Sequence, residues 1–228
     1  MVERADSKIS WPLKLPLLLT ALYFLGWYPL TQIFLRDLRW APRYGPHLYY
    51  AVSLAGLLLS GKATLEALGL TGRNLRQNVL LGGTCGAVVA GMLPLLDFLA
   101  DSTGLSRTEL FPVAGAGGGM ESRPALEIAA ALTVAPLLEQ TFFSGFILRP
   151  LLEKFKPVLA IYTCAAVFAL AHFKLSLGLF LLGFGSAGLF YKTGTLVAPL
   201  LLHAGCQTAG LLLENVYPRL ATLLGFLL

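Results

Sequence analysis

The sequence predicts an all-α fold, a polytopic transmembrane helical bundle of about seven to eight membrane helices, built as a single integral-membrane domain over residues 1–228. Three observations carry this expectation. Apolar residues make up 56% of the 228 positions, and mean hydropathy is +0.72. Only 13% of the residues are charged, where a soluble domain has about a quarter. The apolar residues also gather into runs of roughly 20, the length a helix needs to cross about 30 Å of hydrocarbon. A soluble globular domain and a disordered chain are thereby excluded. The net charge of +5 comes from 17 Lys and Arg set singly or in small groups between the apolar runs. That pattern describes loops at anionic headgroups, so the lipid bilayer is an expected partner and nucleic acid is not. Cys85, Cys164 and Cys206 all lie inside apolar runs and read as small buried hydrophobes, not as a disulfide framework.

Taken in order, residues 15–35 form a charge-free run after a polar lead and predict an uncleaved first span. Further spans are predicted over 44–61, 78–100, 125–148, 157–173, 175–191 and 194–213. The stretch 217–228 is too short to cross alone and is expected at the interface or as a partial helix. Lipid gives helices little hydrophobic reason to associate, so small residues that let backbones approach are packing signals. Gly82, Gly86 and Ala90 recur at four-residue spacing on the third span, and Gly185 with Gly188 thin one face of the sixth. The longest polar connection, 101–123, reads as a lid or a linker. Its glycine-rich run 115–119 follows no strand and reads as a flexible loop, not a nucleotide site. Counting Lys and Arg by side gives ten on the amino-terminal side and seven opposite, which favours a cytoplasmic amino terminus in a bacterial or archaeal inner membrane.

Of the twelve acidic residues, eleven lie in loops or near span ends. Glu139 is the exception, deep in the fourth span and three residues after Pro136. A carboxyl at that depth is costly unless it meets a polar cavity or a partner, and it marks a functional site unless it only holds two helices together by hydrogen bonding. His172 and His203 lie in the next apolar regions. The remaining histidine, His47, follows Pro46 and reads as a loop residue with no evident role. Depth gives an internal test. At about 1.5 Å per residue, Glu139 is about 15 Å from Arg149, His172 about 22 Å from Pro157 and His203 about 14 Å from Gly194. All three fall in one band that helix tilt can absorb, so they can converge. His203 and Gln207 are four apart and share a helix face.

Three segments now stand in order: Ala135-Pro-Leu-Leu-Glu139-Gln140-Thr-Phe-Phe143-Ser144-Gly145, Phe168-Ala-Leu-Ala-His172, and the stretch 189–207 ending His203-Ala-Gly-Cys206-Gln207. In order and spacing they resemble the three motifs of the CAAX-protease and bacteriocin-processing family, Abi-type glutamate intramembrane proteases related to the type II CAAX prenyl endopeptidase. The motif-bearing part is about 125–213. The family pattern has two adjacent Glu followed by Arg after three residues, then Phe and His, then His and Asn four later. This chain keeps Glu139, Phe168, His172 and His203, and has Gln140 for the second Glu, Ser144 for the Arg and Gln207 for the Asn. Residues 140 and 144 lie one helical turn apart. Losing both charges together avoids stranding one of a buried pair, a penalty of about 3–5 kcal/mol. A working variant and a stable inactive relative would both show this.

The resemblance implies an intramembrane endopeptidase that hydrolyses a peptide bond near the membrane segment or carboxyl-terminal anchor of a membrane-associated protein or peptide. Glu139 would be the general base and His172 would help position the water. His203 and Gln207 would stabilise the oxyanion. Gln140, Phe143, Ser144 and Phe168 are supporting positions, and no cofactor is expected. A metal version would place Zn²⁺ on Glu139, His172 and His203, but no HExxH spacing is present. Cys206 could be a nucleophile beside His203 but reads better as packing. The non-enzymatic alternative is a catalytically silent relative that binds membrane peptides in an immunity or scaffold role. A proton-coupled transporter using the same residues as a relay is a third.

Overall fold

The structure, a computed structural model, describes residues 11–38, 40–103, 124–173, 176–217 and 220. Those residues contain helices and no strand. The helices are α1 (Lys14–Phe34), α2 (Trp40–Leu59), α3 (Leu75–Ser102), α4 (Ala125–Lys154), α5 (Pro157–Ala171), α6 (Leu177–Thr193) and α7 (Val197–Asn215). They fall on the seven predicted runs. Four of them, α1, α3, α4 and α7, are long and apolar enough to cross a membrane, whereas α5 and α6 are shorter apolar helices. The chain is an integral membrane protein by this architecture. The connection beyond residue 103, with its glycine-rich run 115–119, and most of the stretch 217–228 lie outside the described residues.

α4 is the axis of the bundle. Its apolar window is 61% buried, against 11% for α1, 17% for α3 and 33% for α7. The helix is not regular. It breaks at Thr133 (φ −123°, ψ −64°), just ahead of Pro136, and widens into π-helical turns over Thr141–Ile147. A π segment loosens the backbone ladder, and such segments gather at functional sites. Here neighbouring side chains meet its carbonyls: Trp11 donates its indole N–H to the Phe146 carbonyl at 3.2 Å, and the Cys164 thiol approaches the Phe143 carbonyl at 3.4 Å. The loop after α2 tucks against the same segment. Leu68 is fully buried, and a side chain at Gly145 would collide with its carbonyl.

The remaining packing follows the small residues. α3 and α7 run together, and a methyl at Gly82 would strike the Ala198 backbone while one at Gly86 would come within 2.7 Å of the Leu201 carbonyl. The α3 glycine face is thus the close contact its spacing suggests. On α6 the expectation is half corrected. Gly185 meets Leu202, but Gly188 has nothing within 4 Å, and it is Gly183 that lets Phe168 and Ala165 of α5 approach. Cys164 is buried, whereas Cys85 and Cys206 are only partly buried, and all three are free.

α2 starts earlier than its sequence suggests, and the reason is local. Pro46 has no N–H for the Pro42 carbonyl one turn back, the usual objection to proline inside a helix. Gln32 of α1 donates to that carbonyl at 3.0 Å, and Trp27 donates its indole N–H to the Gly45 carbonyl at 2.8 Å. Partners from α1 therefore carry the helix through Pro46.

Candidate active site

The site gathers on the carboxyl of Glu139, in the last turn of α4 before the π segment. Three imidazoles meet it. His47 Nε2 lies 3.0 Å from Oε1, His172 Nε2 lies 3.4 Å from Oε2, and His203 Nε2 lies 3.7 Å from Oε2. Glu139 and His203 are buried, at 6% and 1% side-chain exposure, while His47 and His172 keep 29% and 26%. The cluster thus has a closed floor and a less buried side at the two half-buried histidines. Oε2 is buried and makes no hydrogen bond among the described residues.

His172 follows the last residue of α5. Its Nδ1 is 2.8 Å from the Phe168 carbonyl one turn back, which can only accept, so Nδ1 carries a proton and donates it there. In the neutral ring Nε2 is then left with a lone pair toward Oε2. The turn that places the ring is tightly held. Tyr23 donates its hydroxyl to the Ala171 carbonyl at 2.9 Å. Phe173 adopts φ +51°, a left-handed backbone that a bulky residue accepts only when its surroundings over-determine it. They do: its ring stacks on Tyr28 at 3.3 Å and packs against Phe24.

His203 sits on α7, and its Nδ1 is 3.0 Å from the Gln140 side-chain nitrogen, while Ser144 donates its hydroxyl to Gln140 Oε1 at 2.9 Å. The order Ser144 to Gln140 to His203 leaves Nδ1 as acceptor and puts the ring proton on Nε2, the nitrogen that faces Glu139. Gln207, one turn along α7, brings its amide nitrogen to 3.4 Å from the same Nε2. A protonated Nε2 and an amide N–H are two donors side by side. Both can donate to one acceptor placed between them. Phe168 walls this space, edge-on to Phe143 at 5.1 Å and to His203 at 6.0 Å, with its ring 4.6 Å from that of His172.

Every residue singled out from the motifs, Glu139, Gln140, Phe143, Ser144, Phe168, His172, His203 and Gln207, therefore lies in this cluster or against it. Cys206 is half-buried and appears in none of these contacts. The omission is His47. Expected in a loop without a role, it lies in α2 and makes the shortest of the three imidazole contacts to Glu139. One signal was available: it is one of only three histidines in the chain.

No curated protein and no solved structure matches the chain. Residues 121–209, which contain all three motifs and every site residue except His47, match the family of type II CAAX prenyl endopeptidases, Rce1-like, in agreement with the resemblance those motifs carry.

Proposed function

We propose that the protein is an intramembrane endopeptidase of the CAAX-protease type that cleaves membrane-associated protein or peptide substrates with a water activated by Glu139 and His172. The observation that carries this reading is Glu139 Oε2, a buried carboxyl oxygen with no hydrogen bond among the described residues, set 3.4 Å from His172 Nε2. A water beside that pair donates one O–H to Oε2 and the other to the Nε2 lone pair. Its oxygen is then free to attack a carbonyl carbon. On attack the water proton passes to Oε2 and the carbonyl oxygen becomes an oxyanion. His203 Nε2–H and the Gln207 amide are two donors that can share an acceptor, and the oxyanion is that acceptor. As the tetrahedral intermediate collapses, the C–N bond breaks and the proton on Glu139 passes to the leaving nitrogen. The carboxylate is regenerated.

The departures from the family pattern fit this scheme. Ser144 and Gln140 form a neutral relay that fixes the His203 tautomer, a task that needs directed hydrogen bonds and no charge. The less buried side at His47 and His172 gives a substrate access from within the bilayer or its surface.

The test uses protein reconstituted in lipid vesicles and two quenched-fluorescent peptides. One is farnesylated and ends in Cys-aliphatic-aliphatic-X; the other carries an unlipidated transmembrane segment. Wild type cleaves at least one, and Glu139→Gln and His172→Ala each lose turnover while keeping the wild-type melting profile. Binding of both peptides without cleavage by wild type would replace the protease with the peptide-binding alternative. Loss of cleavage to a chelator, restored by Zn²⁺, would convert the scheme to a metal-bound water.

A further inference from the structure

The proposed chemistry uses Oε2 of Glu139, which leaves open what keeps the carboxyl from rotating to present either oxygen. Oε1 has a partner in His47 at 3.0 Å, and that partner comes from α2, outside the segment 121–209 that matches the family. The backbone around His47 is unusually well secured for a stretch holding Gly45 and Pro46. Gln32 and Trp27 of α1 occupy the Pro42 and Gly45 carbonyls, and one turn further Tyr50 stacks on Phe142 of α4 at 4.8 Å. The backbone that carries the imidazole is therefore held to α1 on one side and to α4 on the other, and the tip that donates to Oε1 cannot easily follow the carboxyl if it turns.

We propose that His47 is a positioning residue: it clamps Glu139 through Oε1, so that Oε2 is the oxygen presented to His172 and His203. The inference rests on the reading of Glu139 as the base and adds to it a residue supplied by the amino-terminal half of the chain. A helix-to-helix hydrogen bond of purely structural value would have the same geometry. The two differ in what they do to turnover.

The experiment compares His47→Ala and His47→Gln in vesicles with the same two peptides. Gln places a side-chain N–H near the position of Nε2. For the clamp, His47→Ala loses about 10²-fold in kcat, the scale of a catalytic group allowed to shift by an ångström, with KM unchanged. His47→Gln regains most of that loss, and added imidazole restores part of it to the alanine variant. Full kcat in His47→Ala while Glu139→Gln is inert would overturn the clamp and leave the protease reading standing. Equal impairment of the Gln and Ala variants would overturn it too. Should wild type cleave neither peptide, the protease reading fails on its own, and the infrared carboxyl band that disappears in Glu139→Gln decides the clamp. A shift of that band in His47→Gln or His47→Ala supports the hydrogen bond to Oε1 on which the clamp depends, and an unmoved band overturns the clamp. The infrared measurement also serves if the alanine variant does not fold.

Discussion

α3 and α4 solve the same problem in opposite ways. Both cross an apolar solvent that supplies no hydrophobic drive for helix association. α3 does it mainly with shape: Gly82 and Gly86 let the α7 backbone approach, and one buried polar contact, Asn78 donating to the Thr195 hydroxyl just ahead of α7, pins its start. α4 does it with chemistry. It carries a carboxyl, an amide and a hydroxyl into the interior and matches them with three imidazoles drawn from α2, α7 and the end of α5. The first solution gives stability and no reactivity. The second leaves one carboxyl oxygen without a hydrogen bond among the described residues, a feature that packing alone would select against. The contrast is between a packing seam and a candidate site.

The largest expected effect falls on α4. Glu139→Gln removes the proposed base while keeping the shape of the side chain, and turnover of the cleaved peptide should drop by about 10²–10⁴-fold, the usual worth of general-base catalysis. Thermal unfolding in detergent should move little. Gly82→Ala on α3 should do the reverse: overpacking against the Ala198 backbone costs about 1–3 kcal/mol, read as a lowered unfolding midpoint with kcat per folded molecule preserved. Ser144→Ala lies between them. It removes the donor that orients Gln140, costs about 1 kcal/mol of stability, and lowers kcat more than KM because His203 loses control of its tautomer. The smallest effect is at Gly188, which has nothing within 4 Å: Gly188→Ala should leave both stability and turnover within about 0.5 kcal/mol of wild type. An equal response of all four variants in one assay would erase the distinction between seam and site.

Much of this was legible in the sequence, for physical reasons that can be named. Glu139 stood out because carboxyls are rarely placed in hydrocarbon, and the depth of His172 and His203 followed from counting residues along rigid helices. The α3 glycines were legible because backbone approach leaves a regular spacing. His47 was hidden because its place directly after Pro46, a residue that breaks the helical hydrogen-bond ladder, read as a loop. The hydrogen bonds that carry the helix through Pro46 come from Gln32 and Trp27, distant in the chain on α1. The π turns of α4 were hidden for the same reason, since the groups that meet their carbonyls are Trp11 and Cys164. At Gly188 the periodicity pointed to a contact that Gly183, five residues earlier, makes instead.

The central claim is that Glu139 delivers water to a peptide carbonyl. The most direct measurement is mass spectrometry of whichever of the two peptides the wild type cleaves, after incubation with the reconstituted protein in oxygen-18 water. The account predicts one heavy oxygen in the newly formed carboxylate with wild type and intact peptide with Glu139→Gln. Cleavage by Glu139→Gln at the wild-type rate, with the same incorporation, would contradict it.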